Sequence, residues 1–496
     1  MPPELPAELL DKIFFHLWAS TDFTSLNACT EVSAFFCELA EPHLYHHFTL
    51  SDSHPYDESP IRVTADSIRT GHSPSQVLRL LSDKPYIVSS GYVRSLMLLI
   101  GKITDQTRHW EEETSRLLPL LTNLESVRVM RRGVGTLSWT CLGRDFRRAF
   151  DNVMRLSSIR EVVLRHVRMP LEVLHKSSTL KRLRLSACKV NCCLEGQKVK
   201  HRACLSWLSV RTQNLSSFAS WLDSPAGPDV SQLQYLRVDM ETVADYEHAS
   251  YILSLCSTSL ETLALSPGGE GKLACFSHQV VPGGTDDVVQ LVNLLYCIGK
   301  DRVNVVAPQP HHLMYHLRQH PFSATRSSPV SSNSVSTTTF FSLPCLSSLK
   351  NLAFYVGFWA CGTTMYSAPF EFVRRVLEEI QALPPLQTTH RLVRRSQIAL
   401  KSLTLEFVLA MDLSLLPVIS WLPLTTALSA LSDAMPSLKV VVIKIIAVVD
   451  PDQEHPTTIE DMTKTVKVLK ADVHLVQLVT AGLVHIVGHI SNRRRL

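Results

Sequence analysis

The sequence predicts an α/β chain: three short N-terminal helices, then an irregular array of parallel strands backed by helices. Three observations predict it. Residues 5–45 hold three short runs with apolar side chains at helical spacing. From Val93 onward, a hexad of the form apolar-x-x-apolar-x-apolar returns ten times. Between copies lie segments such as 243–256 and 369–382, whose Ala, Leu, Val and Ile fall on one helical face.

The first run is LPAELLDKIFFHL, residues 5–17. Leu9, Leu10, Ile13, Phe14 and Leu17 share one side of a helix, while Glu8, Asp11, Lys12 and His16 take the other. Pro6 suits the first turn, where its missing N–H would have no partner. Asp22 is placed to cap a second helix over Phe23 to Cys29, with Phe23 and Leu26 inward. Val32, Phe35, Phe36 and Leu39, then Leu44 and Tyr45, mark a third. So short a segment rarely buries enough surface to be stable alone. Its surplus of large apolar residues implies completion by a partner or by the rest of the chain.

SDSHPYDESP, after Leu50, is polar and turn-rich, and SQVLRLLSD at 75–83 reads as a short helix. Residues 51–92 are therefore expected to link the helices to the array and to cap its start. The best repeat copy is LKRLRLSACKV at 180–190, which fits the leucine-rich repeat template L-x-x-L-x-L-x-x-N/C-x-L in full, with Cys188 in the Asn/Cys slot. Looser copies start at Val93, Leu124, Ile159, Leu205, Leu233, Leu260, Leu349, Leu400 and Leu438. From Val93 to Leu260 most successive starts are separated by close to the ~20–29 residues of such repeats. Each unit buries its face only against its neighbours, so residues 93–496 are expected to form a solenoid with one continuous core. The N-terminal helices would cover one end and the apolar segment 473–490 the other. An insertion at about 267–345 interrupts the array. It holds a helical pattern at 286–300, one disguised copy at RVNVVAP, and a Ser/Thr-rich stretch at 323–339 too poor in apolar side chains to offset the entropy of ordering.

Leu5, Pro6, Ile13, Phe14, Leu17, Val32, Phe36, Leu44 and Tyr45 together carry a resemblance. An opening Leu-Pro, an Ile-Phe pair late in the first helix and a closing Leu-aromatic make residues 4–50 resemble an F-box, with Phe36 where many members carry Trp. With the repeats, the chain resembles fungal-type F-box proteins with degenerate leucine-rich repeats. The resemblance implies that residues 1–50 dock on a Skp-type adaptor and, through it, a cullin of a ubiquitin ligase. It implies that the repeats bind an unknown protein substrate and that the chain is not itself an enzyme. Carried over by position, the adaptor-binding residues are Leu5, Pro6, Ile13, Leu17, Leu26, Val32 and Phe36, apolar anchors of helix-in-groove recognition. Which face the adaptor and which face the motif's own core stays open. So does the alternative, a repeat-built interaction scaffold whose first helices are only a cap.

Composition narrows the classes. The chain is 45% hydrophobic and 19% charged, leaner in charge than the usual ~25%, as expected of a large buried interior. A formal charge of +4 over 496 residues is too weak to point to nucleic acid. The apolar runs at 413–432 and 473–490 are broken by prolines or histidines, so no membrane span is expected. The start lacks the pattern of a secretory signal, and the twelve cysteines are mostly scattered, so a reduced cytoplasmic or nuclear chain is expected. Cys188, Cys192, Cys193, His201 and Cys204 lack paired C-x-x-C spacing, and His312, His316 and His320 read as a solvated helical face. Gly268, Gly269 and Gly271 precede Lys272, but Leu273 stands where a phosphate loop needs Ser or Thr. No catalytic, metal or cofactor site is expected.

In an L-x-x-L-x-L strand the leucines point to the core and the residues between them to the concave face. Those positions include Ser126, Arg128, Glu161, Val163, Arg165, Arg182, Arg184, Trp207, Arg211, Tyr235, Arg237 and Asp239. Arg128, Arg165, Arg182, Arg184, Arg211 and Arg237 outnumber the two acids, and Arg forks pair carboxylates and phosphates in bidentate geometry. They are the candidate substrate-binding residues; a merely solvated charged face explains the same pattern. Later strands offer small neutral residues: Thr262, Ala264, Asn351, Ala353, Ser402 and Thr404.

Overall fold

A computed structural model describes residues 5–52, 63–101, 105–133, 135–191, 202–212, 215–225, 227–240, 243–267, 348–359, 400–410, 420–449 and 457–492. It also describes positions 61, 346, 373–374, 376–378, 380, 413 and 416. The expected helix at 286–300, the disguised copy and the Ser/Thr-rich stretch 323–339 lie outside these residues, as do Cys192, Cys193, His201 and the histidines near 312–320.

The chain is α/β, with one large parallel sheet. Its strands are β1 (His47–Ser51), β2 (Ser95–Ile100), β3 (Ser126–Arg131), β4 (Leu137–Ser138), β5 (Glu161–Arg165), β6 (Val167–Pro170), β7 (Arg182–Asn191) and β8 (Trp207–Thr212). They continue through β9 (Tyr235–Met240), β10 (Thr262–Pro267), β11 (Asn351–Trp359), β12 (Ser402–Ala410), β13 (Val440–Val449) and β14 (Val484–Asn492). The main path runs β1-β2-β3-β5-β7-β8-β9-β10-β11-β12-β13-β14, in chain order, with β4 and β6 as a side ladder joined to β7. All ten hexads are strands of this path, each beginning two residues after its first apolar residue.

The register explains the hexad. Its fourth positions align as Leu96, Val127, Val162, Leu183, Leu208, Leu236, Leu263, Leu352, Leu403 and Val441, and all are buried. The sixth positions align as Leu98, Val129, Leu164, Leu185, Val210, Val238, Leu265, Phe354, Leu405 and Ile443, also buried. The first residue of every hexad, from Val93 to Leu438, is buried just before its strand. Burying each such side chain contributes about 1.5–3 kcal/mol, so two unbroken ladders dominate the core.

Parallel neighbours need crossovers too long for a tight turn. Helices supply many of them and join the ladders in one core: α7 (Asp105–Leu117), α8 (Arg144–Met154), α9 (Leu215–Asp223), α10 (Val243–Leu255) and α11 (Leu422–Ala434). Phe146 and Phe150 of α8 meet Trp110 and Trp139, and α9 buries Phe218 and Trp221.

The Asn/Cys slot of the best copy marks an irregularity in its strand. In β7, Ala187 takes a positive φ of 50° and the register shifts between Ser186 and Cys188. The buried Cys188 thiol then donates to the Leu164 carbonyl of the preceding strand (3.2 Å). Burial pushes that thiol's pKa up to about 11. The later slots hold Gly357, Val408 and Ile446, and β11, β12 and β13 also run on through them.

At the start, α1 (Ala7–Ala19), α2 (Phe23–Thr30) and α3 (Ala34–Leu44) pack on one another. Asp22 caps α2 by accepting from the Ser25 amide, and Ser33 caps α3 by accepting from the Phe36 amide. Strand β1 comes directly after and pairs with β2, so the expected boundary at residue 50 falls inside a strand. Residues 51–92 contribute α4 (Ala65–Thr70), α5 (Pro74–Asp83) and α6 (Tyr86–Ser89). A polar latch holds α3 to this region. The buried Glu41 carboxylate accepts from Lys84 Nζ (2.8 Å) and the Tyr86 hydroxyl (2.7 Å). At the other end, 473–490 does more than cover the array: after α12 (Ile459–Lys470) and α13 (Val476–Thr480) it forms most of β14, the last strand.

His47 on β1 hydrogen-bonds Ser95 Oγ through Nδ1 (2.8 Å) and Thr49 Oγ1 through Nε2 (3.1 Å). Burial, with Arg128 nearby, pushes its pKa down to about 4. A histidine whose folded value lies below its unfolded value stabilises the fold above the unfolded value and loses that contribution as pH falls. Denaturant midpoints are therefore expected to drop between about pH 6.5 and pH 4, and His47→Gln is expected to flatten that drop. An unchanged slope in the variant would contradict the burial of a neutral imidazole.

Candidate functional site

Two surfaces stand out. The first is on the N-terminal helices, whose inner side is already filled by Leu10, Phe14, Phe23, Leu26, Ala40 and Leu44. Leu5, Leu9, Ile13, Phe15, Val32 and Phe35 nevertheless lie between 45% and 66% exposed. Large apolar groups concentrated this way on a short segment mark an interaction surface more often than scattered single ones do.

The seven residues expected at an adaptor separate into three groups. Leu5, Pro6, Ile13 and Val32 are exposed. Leu17 and Phe36 are half-buried against the core, Phe36 with its ring edge to Phe14 at 5.8 Å. Leu26 is a correction to the carried-over set: it is fully buried in the core, on the inward side of α2 where its spacing places it, and it has no surface to offer a partner. Leu9, Phe15 and Phe35 belong to the exposed set without being among the seven. Leu9 and Ile13, four residues apart on α1, carry that signal in the sequence.

The second surface is the sheet face opposite the ladders. Its rows read Glu161, Arg182, Trp207, Tyr235, then Val163, Arg184, Ser209, Arg237, across β5, β7, β8 and β9. Arg165, Ser186 and Arg211 form the next row. The register thus brings five of the six expected arginines onto adjacent strands, with Arg128 on β3 beside them.

Their charges are not equally available. Arg128 pairs with Glu161 (3.4 Å), which also accepts from Ser126 Oγ (2.6 Å). The buried Asp239 carboxylate sits between Arg237 (3.1 Å) and Arg211 (3.8 Å). Burial works against the Arg237 charge, but Asp239, with Tyr355 and Tyr235, raises the pKa on balance. The Arg237 guanidinium also lies 4.0 Å from the centre of the Tyr355 ring, a cation–π contact. Arg165 is half-buried, while Arg182 and Arg184 are exposed with no ion pair among the described residues. Beside them, Trp207 and Tyr235 stack face to face, 4.8 Å between centres and 5° between planes. Burial, aided by Tyr355, pushes the Tyr235 hydroxyl up to about 12. Farther along, Asn351 bonds Thr262 (3.1 Å) and Ser402 bonds Asn351 (2.7 Å), so the neutral half satisfies itself.

Among the described residues no group of three or more His, Cys, Asp or Glu is arranged to hold a metal ion, and no helix is long and apolar enough to cross a membrane.

The two roles on the helices can be told apart by stability. Leu26→Ala is expected to lower the unfolding free energy by about 2–5 kcal/mol through the cavity it leaves. Val32→Ala is expected to change it by less than about 0.5 kcal/mol. Equally small effects in chemical denaturation would contradict the placement of Leu26 in the core. No family model matches this chain and no curated protein matches it, so what the two surfaces bind has to be inferred from their own residues.

Proposed function

We propose that this chain is the substrate-receiving subunit of a cullin-RING ubiquitin ligase. In this reading the N-terminal helices are an F-box that docks on a Skp-type adaptor. The strand-and-helix array is an irregular leucine-rich-repeat solenoid that holds a protein substrate. The ligase chemistry belongs to other subunits. The observation that carries the reading is the exposed apolar set Leu5, Leu9, Ile13, Val32 and Phe35, on helices whose own core is already complete. A helix-in-groove interface uses such anchors, and they are hard to account for on a cap that packs only on its own chain. The Glu41–Lys84–Tyr86 latch supports the same division of labour, because it fixes α3 to the α5–α6 segment that leads into β2 and would hold a bound substrate at a set position relative to the adaptor.

A scaffold without a ligase role is the second reading. What favours it is that Leu10, Phe14 and Leu26 share one continuous core with the sheet, as a simple cap would.

Co-expression with a Skp-type adaptor separates the two. Wild type is expected to retain the adaptor through purification. Ile13→Asp with Val32→Asp is expected to lose it while keeping the same melting temperature, since both sites are solvent-exposed and a charge buried without a partner is costly at an interface. A wild-type chain that fails to retain the adaptor would remove the basis of the ligase reading and leave the scaffold.

A further inference from the structure

The two edges of the sheet are unlike. β1 is covered by α4 and by hydrogen bonds of Ser51 and Thr49 with His72. β14 pairs with β13 on one side, and among the described residues no strand pairs with its other side. The Val441 amide donates to the Leu483 carbonyl. Backbone direction alternates along a strand, so the odd residues of β14 turn their N–H and C=O groups to β13. The even ones, Val484, Ile486, Gly488 and Ile490, turn theirs to the open edge. Natural edges are blunted by charge, proline, a bulge or short length. β14 has none of these: it is nine residues long, VHIVGHISN, and stays in register with β13 throughout.

Its side chains are matched to themselves. About Val487 a histidine stands two residues away in either direction, His485 and His489. All three are exposed, and they alternate with the core-facing residues. Of those, Val484 and Ile486 are buried, and Gly488 lies so close to α12 that a Cβ there would stand 2.5 Å from Met462. A second β14 laid antiparallel about a twofold axis through Val487 opposes Ile486 to Gly488 and Val484 to Ile490. These even residues are the ones whose backbone groups meet across the edge, and Ile486 fills the space beside Gly488. His485 then opposes His489, and Val487 opposes itself. The helix over this strand is matched too. α12 carries Glu460 and Asp461 in its first turn and Lys467 and Lys470 in its last, and its middle, Met462 to Val466, sits at Gly488. The same twofold turns the acidic end of one α12 toward the basic end of the other, which fixes orientation more than affinity. Exposed apolar residues gather at this end, Val487 with Ile459, Val468, Val473 and Val476.

We propose that β14 is an interface with a second copy of this chain, the two sheets joined edge to edge, antiparallel, through Val487. A head-to-tail contact of β14 with β1 of another copy is blocked by the cover over β1. The pairing is therefore isologous and closes as a dimer instead of continuing as a filament. Main-chain hydrogen bonds between the even residues supply the attachment, as in other strand additions to a sheet edge. The proposal is independent of the ligase reading, since neither surface invoked there lies on β14.

Sedimentation equilibrium of the full chain across a concentration series tests it. Wild type is expected to be a dimer with a Kd below about 10 μM. Val487→Lys stays solvent-exposed in the monomer but sets two like charges face to face at the axis, and is expected to weaken the dimer at least about fivefold. Cysteine variants test the register, and they carry the comparison should the lysine variant fail to fold. In a non-hydrogen-bonded antiparallel pair the Cα atoms stand about 4.5 Å apart, within reach of a disulfide. Val487→Cys is thus expected to link two chains under mild oxidation that leaves wild type unlinked. His489→Cys is expected not to, since position 489 of each chain would stand about 13 Å from its counterpart. A wild type that stays monomeric at about 100 μM would overturn the proposal and leave the edge to a strand of another protein. A dimer unaffected by Val487→Lys, or one linked as readily through His489→Cys as through Val487→Cys, would overturn it too.

Discussion

In-register pairing between successive parallel strands is the constraint on which the rest of this structure depends. Because side chains alternate along a strand, a slip of one residue would carry a whole row from the core to the open face. Here the register holds from Phe48 on β1 to Val484 on β14, and the row containing Leu183 and Leu208 stays apolar throughout. The intervening row is then free to vary, and its character changes along the sheet. It is hydrogen-bonded and largely buried near His47 and Ser95, basic and aromatic from β7 to β9, and beyond that mostly small and uncharged apart from the Glu406–Lys444 ion pair. One rule of packing thus produces both a single core and a surface with regional chemistry.

The ends of the sheet obey the same need. A parallel edge leaves one side of its backbone unpaired, and β1 is covered by α4, whose chain contributes the His72 carbonyl and amide to hydrogen bonds with Ser51 and Thr49. The N-terminal helices continue this cover and share its core. Their outward side keeps Leu9, Ile13, Phe15 and Phe35 exposed among charged residues. Glu41, buried between Lys84 and Tyr86, makes the junction specific, since a carboxylate in that position is stable only with its donors in place.

Much of this is legible in the residues. Apolar periodicity locates α1, α5 and α10, and the hexads locate ten strands and the direction of each side chain in them, including all six arginines. What stays hidden depends on contacts across strands or on context outside any repeat. HFTLS at 47–51 has no hexad, and β14 reads as an apolar run rather than as a repeat copy. Leu26 reads as inward from its spacing, and only the position-by-position carry-over from the resemblance places it among the surface anchors. The pairing of Asp239 with Arg211 joins residues that are neighbours only because β8 and β9 lie side by side, while Arg237 reaches the same carboxylate from two residues away on β9. That pairing is what singles out Arg182 and Arg184 from six arginines that look alike in the sequence.

The central claim is that the chain carries two separate surfaces, an apolar one on the helices, proposed to take an adaptor, and a basic one on the sheet, proposed to take a substrate. Hydrogen–deuterium exchange of the full chain with and without a saturating Skp-type adaptor tests it most directly. Peptides spanning residues 5–36 are predicted to exchange more slowly with the adaptor bound, and exchange across β7 to β9 is predicted to stay unchanged. Slowing that maps to β7–β9, or no slowing in residues 5–36 when the adaptor is bound, would contradict it.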